Sequence, residues 1–126
     1  MSQKEVISPP PAPHLPFSTV IAYGDLVFVA GLVGRDPETG EIAQADIASQ
    51  TEQALKNIQR QLELAGTSLE QVLKVTVFIL DMDLFGAMNE VYTTFFPTDP
   101  PARSCVEVNG LPDDEAMVEI EVVAAR

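Results

Sequence analysis

Two segments of this chain are apolar on both faces of an extended strand, and that property limits what it can fold into. Leu26-Val27-Phe28-Val29-Ala30 has no polar position at all. Val72–Leu80 places Val75, Val77 and Ile79 on one side and Thr76, Phe78 and Leu80 on the other. Successive strand side chains point to opposite faces, so both faces of these strands need cover. Two helical stripes are available to supply it. Ile47, Thr51, Ala54, Leu55, Ile58, Leu62 and Ala65 recur every three or four residues, with Glu52, Lys56, Asn57 and Arg60 mostly outside the stripe. Leu84, Met88, Val91, Tyr92 and Phe95 form the second. Two such helices can cover one face of one sheet. The other face would be a larger apolar patch than soluble monomers carry, so a closed homo-oligomer is expected to bury it.

The remaining elements follow in order. Residues 1–16 read as an arm: Pro9, Pro10, Pro11, Pro13 and Pro16 forbid helix and favour polyproline II geometry, lying along the protein itself. Phe17–Tyr23 is a β-branched-rich first strand, with Gly24-Asp25 turning into the second. Asp36-Pro37-Glu38-Thr39-Gly40 is a turn, and Ile42 adds a short strand. Asp46 caps the first helix and Gly66 closes it; Ser68-Leu69-Glu70-Gln71 reads as a capping box. Pro97 stops the second helix. A fourth strand starts at Arg103 and a fifth runs from about Met117 to Ala125. The order ββ-α-β-α-ββ predicts an α+β single domain over residues 1–126, with both helices on one face of a mixed sheet.

Composition narrows the function classes. Seven basic against nineteen acidic residues give a net charge of −12, which repels phosphate backbones and anionic membranes. No apolar run approaches the roughly 20 residues that span a bilayer. The first residues, Met1 to Glu5, lack an apolar signal core, and the single cysteine suits a reducing compartment, so the expected location is the cytoplasm. The single histidine, His14, has no Cys, His or Asp cluster beside it and cannot make a metal site. Gly31-Leu32-Val33-Gly34 lacks the helix start and lysine of a phosphate loop. Ser104 and Cys105 have no histidine partner for nucleophilic catalysis.

What chemistry remains centres on Pro97-Thr-Asp-Pro-Pro-Ala-Arg-Ser-Cys-Val-Glu-Val108, a proline-rich turn running into a strand. Arg103, Cys105 and Glu107 share one face of that strand. An arginine held this way can grip a carboxylate through two parallel hydrogen bonds; spacing alone favours the plainer reading, in which it pairs with one of the chain's many acidic groups. In the last strand Glu119 and Glu121 share the less apolar face. A glutamate there would have its pKa raised by desolvation, suiting it to activate water. Spacing does not choose between the two.

Pro101-Ala-Arg-Ser-Cys-Val-Glu-Val108, Leu111-Pro112 and Val118-Glu-Ile-Glu121 together resemble the RidA/YjgF family of imine deaminases. The likeness continues through Gly24–Gly31, Pro37–Glu41 and Val75–Met82, and covers about Pro16 to Ala125. The resemblance implies a chorismate-mutase-like fold, a homotrimer with a central barrel, and sites at subunit interfaces. It places the water-activating glutamate on Glu119 and the carboxylate anchor on Arg103. Asn89 and Cys105 would line the pocket, with backbone near Gly31. Phe17 stands where the family usually has tyrosine, and Ala30 where a hydroxyl residue is common, so the pocket should be more apolar than usual.

The function so implied is hydrolysis of 2-imino acids, such as 2-iminobutanoate or the tautomers of 2-aminoacrylate, to 2-keto acids and ammonia. That would protect pyridoxal-phosphate enzymes. It needs no cofactor or metal, and its partners are a small imino or keto acid and two further copies of the chain. The other class is a non-catalytic trimer of the same fold, binding small keto or imino acids or acting as a chaperone. A ribonuclease is disfavoured by the charge and by the lack of paired histidines.

Overall fold

The computed structural model describes residues 3–126. Its elements are β1 (Lys4–Ser8), β2 (Val20–Tyr23), β3 (Leu26–Leu32), α1 (Ile47–Leu64), β4 (Val72–Ile79), α2 (Phe85–Phe95), β5 (Ala102–Glu107) and β6 (Val118–Ala125). The six strands make one sheet in the order β1-β2-β3-β6-β4-β5. Every neighbouring pair is antiparallel except β4 and β5, which run parallel with α2 as their crossover.

Alternation along the strands decides which face is core. Val75, Val77 and Ile79 of β4, and Val118, Ile120 and Ala124 of β6, are fully buried. They face α1, whose Ala54, Leu55, Ile58 and Leu62 are equally inaccessible. The α1 stripe is the one its periodicity predicts. Asp46 caps it by accepting from the Ser49 amide at 2.7 Å, and Gly66 follows it at φ 81°. On the far face Leu26, Phe28 and Val106 stay 38, 42 and 43% exposed, so no element among the described residues covers them.

Several sequence expectations change. The arm is not all polyproline: Lys4–Ser8 pairs antiparallel with β2 and forms the sheet edge, and bends and turns begin at Pro11. The first two residues of the arm lie outside the described residues. Strand β2 starts at Val20 rather than Phe17, because the chain is still turning back at Phe17 and Ser18. Ile42 makes one isolated bridge to Arg35 instead of a strand. Ser68 makes no side-chain capping bond, because the Gln71 amide donates to the Ser68 carbonyl at 3.0 Å instead. In α2 only Met88 and Tyr92 are buried; Leu84, Val91 and Phe95 are half-covered, since α2 packs chiefly against α1. Asn57, placed outside the α1 stripe, turns inward and donates to the carbonyls of Val33 and Arg35 at 3.0 and 2.8 Å.

A polar staple holds the entry to β6. Gln50 is fully buried on α1, where an apolar residue would be expected. Its Oε1 accepts from the Met117 amide at 2.7 Å, and its Nε2 donates to the Glu115 carbonyl at 3.3 Å. Gly34 lies so close that a Cβ there would sit 2.6 Å from the Gln50 carbonyl oxygen. Gln50→Leu keeps the volume but strands these backbone groups. It should lower unfolding free energy by about 1–3 kcal/mol, read from the urea midpoint at unchanged m-value.

Candidate functional site

Glu119 follows Val118 in β6, so the pleat turns it to the face away from the helices. It pairs in register with Phe78, while Arg103 pairs with Val75. Paired residues share a face. Val75 and Phe78 are three apart and therefore face opposite ways. Within one chain the structure thus puts the two central residues on opposite faces of the sheet.

Glu119 borders a cavity of about 910 Å³ that is also lined by Pro9 and Leu15 of the arm, Phe17, Gly31, and Leu64 of α1. Arg103, Asn89, Cys105 and Ala30 do not line it. Gly31 sits at a register shift in β3, and a Cβ built on it would fall 2.5 Å from the Glu119 carboxylate. The missing side chain at Gly31 is the space the carboxylate occupies. Burial raises the Glu119 pKa above the ordinary carboxylate value, and the charges of Glu121 and Asp113 push it the same way.

Asp113 is tied down by a residue that sequence reasoning passed over. Arg35 donates Nε and Nη2 to its two oxygens at 2.6 and 2.9 Å, and Nη2 also reaches Glu115 at 3.0 Å. The third bond, Nη1 to the Gly40 carbonyl at 2.8 Å, anchors the turn at residues 36–40. These bonds hold the Asp113 carboxyl below its usual range. The carboxylates of Asp113, Asp114 and Glu115 lie within 4.8 Å of one another, but Arg35 already occupies Asp113.

The Arg103 half is built on β5 and α2. Nη1 of Arg103 donates to Asn89 Oδ1 at 2.6 Å. The guanidinium carbon lies 4.6 Å from the Tyr92 ring centroid and 5.4 Å from that of Phe85. Cys105 follows two residues along the same face; burial raises its thiol pKa, against the pull of the Arg103 charge, which keeps it a thiol rather than a thiolate. Sequence reasoning placed Tyr92 in the buried stripe of the helix but not against Arg103. The spacing 85, 89, 92 carried that signal, since those positions share one helical face.

A family model described as Endoribonuclease L-PSP matches residues 8–126. A RutC family protein of Pyrococcus horikoshii is 49% identical over 116 residues, covering 92% of this chain and 91% of that one. The mouse protein named 2-iminobutanoate/2-iminopropanoate deaminase is 36% identical over 125 residues, covering 98% and 92%. The chain belongs to the RidA/YjgF family. Its fold is the family's: the crystal structure of Escherichia coli TdcF with bound serine superposes at a TM-score of 0.86, with 38% identity and 97% and 96% of the two chains covered. Within one such RidA-like chain the sheet keeps Arg103 and Glu119 apart.

The Glu119 carboxyl carries a pH signature. Its folded pKa lies above its unfolded value, so its contribution to stability is fully present below the ordinary carboxylate value and is lost as pH rises through the raised one. Glu119→Gln removes that loss. The variant should melt higher than the parent at about pH 8 and converge with it near about pH 4. Parallel melting curves across that range would mean that the carboxyl is not perturbed.

Proposed function

We propose that this protein hydrolyses 2-imino acids, and their enamine tautomers such as 2-aminoacrylate, to 2-keto acids and ammonia, in a homotrimer whose sites lie between subunits. The observation that carries the reading is the pair of complementary half-sites on opposite faces of the sheet. A carboxylate anchor and a water-activating carboxylate separated in this way meet only when a second copy docks against the first. The uncovered face bearing Phe28 and Val106 supplies an apolar surface for that docking. A deaminase among the relatives, and a bound serine in a structural neighbour, point to a small substrate with a carboxylate.

In this reading Arg103 of one subunit holds the substrate carboxylate, and Glu119 of its neighbour faces the imine carbon. Glu119 takes a proton from water as the oxygen bonds to that carbon. That proton passes to the nitrogen, giving a carbinolamine; the hydroxyl proton then follows to the nitrogen, again by way of Glu119, as the C–N bond breaks, so that ammonia leaves and the carbonyl forms. Positioning and one base suffice because the imine carbon is already electrophilic. Cys105, kept as a thiol, lines the pocket without attacking. Phe17 brings no hydroxyl to the cavity, so bulkier, more apolar imino acids suit it. The cytoplasm is the compartment in which a single free thiol is stable.

Arg103→Ala should weaken keto-acid binding by about 2–5 kcal/mol, with lysine restoring it only in part. Glu119→Gln should bind a keto acid normally yet release no ammonia from freshly generated 2-aminoacrylate. If Glu119→Gln stays active and Glu121→Gln is dead, the base lies one pleat away. If the wild type releases no ammonia while still binding the keto acid, the protein is a binding module.

Assembly is tested separately. Sedimentation at micromolar concentration should return a trimer, and a stable monomer would remove the docking that the divided site requires.

A further inference from the structure

The guanidinium of Arg103 is held from one side only. Phe85, Asn89 and Tyr92 fall at i, i+4 and i+7 of α2 and so form a single stripe toward β5. Asn89 Oδ1 accepts from Nη1 at 2.6 Å, and the Tyr92 ring lies 4.6 Å from the guanidinium carbon. Both aromatic distances are within the roughly 6 Å at which a cation is drawn to a ring face. Among the described residues Nε and Nη2 have no hydrogen-bond partner. Those two donors form one edge of the fork, the same edge with which Arg35 grips Asp113. The bound amide and the stacked ring therefore leave free the edge that a carboxylate takes side-on.

Tyr92 is 5% exposed, and its hydroxyl makes no hydrogen bond. An unpartnered buried hydroxyl stabilises nothing by itself. The ring face is what touches Arg103, with Phe96 packed behind it at 4.8 Å between centroids. An arginine side chain has many rotamers to lose on binding; a ring and an amide on one rigid helix remove that freedom before a ligand arrives.

We propose that Tyr92 is a positioning residue for the carboxylate anchor: its ring face, acting with Asn89, sets the plane of Arg103 so that the Nε–Nη2 edge is presented to the substrate. This rests on the reading of Arg103 as the anchor. Tyr92 acts through the arginine rather than on the substrate.

The test compares Tyr92→Phe with Tyr92→Leu in the assembled protein, using 2-oxobutanoate binding by calorimetry and ammonia release from 2-iminobutanoate generated in place. Tyr92→Phe keeps the ring, so affinity should stay within about twofold and the melting temperature should not fall. Tyr92→Leu should raise both the dissociation constant and KM about tenfold while kcat changes far less, since the loss is in holding the substrate. Equal binding by a folded Tyr92→Leu overturns the proposal. So does a Tyr92→Phe that is as weak as Tyr92→Leu, because the hydroxyl would then be the active group. A measurement on the wild type needs no variant: stacking on the ring should move the Arg103 guanidinium protons upfield in the NMR spectrum, and unshifted resonances would sink the clamp even if Tyr92→Leu fails to fold. A wild type that neither binds 2-oxobutanoate nor releases ammonia ends the deaminase reading, while the resonance shift still decides whether the ring holds the arginine.

Discussion

The pairing of β6 between β3 and β4 is the constraint on which the rest depends. It fixes the parity of the central strands, and parity decides what every neighbouring side chain faces. Val118, Ile120, Val122 and Ala124 go to the helices; Glu119 and Glu121 go to the other side. A slip of one residue would bury both glutamates against α1, whose buried positions are mostly apolar, and the desolvation cost of two unpaired carboxylates forbids it. The same lattice of hydrogen bonds carries on to β5 and commits Arg103 to the helix side. Core stability and the division of the site are consequences of one register.

Polar side chains then hold what the sheet leaves loose. The connection from β5 to β6 runs over residues 108–117. Gln50 grips its end from within the core, and Arg35 grips its middle through Asp113 and Glu115. Both sets of bonds act just upstream of Glu119. The surroundings of that carboxylate are correspondingly mixed: a backbone approach at Gly31 that admits it, and like charges that resist its ionisation. A carboxyl pKa raised in this way moves proton exchange toward neutrality.

The two arginines play opposite parts. Arg35 has its fork filled by a carboxylate of its own chain and serves the architecture. Arg103 is stacked and tethered, with one edge open. In a chain of net charge −12 an open guanidinium edge is unusual, because acidic partners are abundant. Its place on β5, at the sheet edge, under a helix stripe without acidic residues at 85, 89 and 92, keeps them away.

How much of this was legible in the sequence depended on the range of the interaction. The α1 stripe, its Asp46 cap, the Gly66 terminator and the two-faced strands are local, and the periods of helix and strand display them directly. The arm was misread because proline propensity masked Lys4–Ser8, whose pairing partner lies beyond the turn that the prolines make. Gln50, Asn57 and Arg35 were missed or misplaced because a polar residue's partner, often dozens of positions away, leaves no periodic trace. By itself the sequence determined the elements, the apolar surplus on both faces of the strands, and the candidate residue types. Only the tertiary structure decided that Arg103 and Glu119 stand on opposite faces, since that follows from a parity counted across three strands whose register no local pattern encodes.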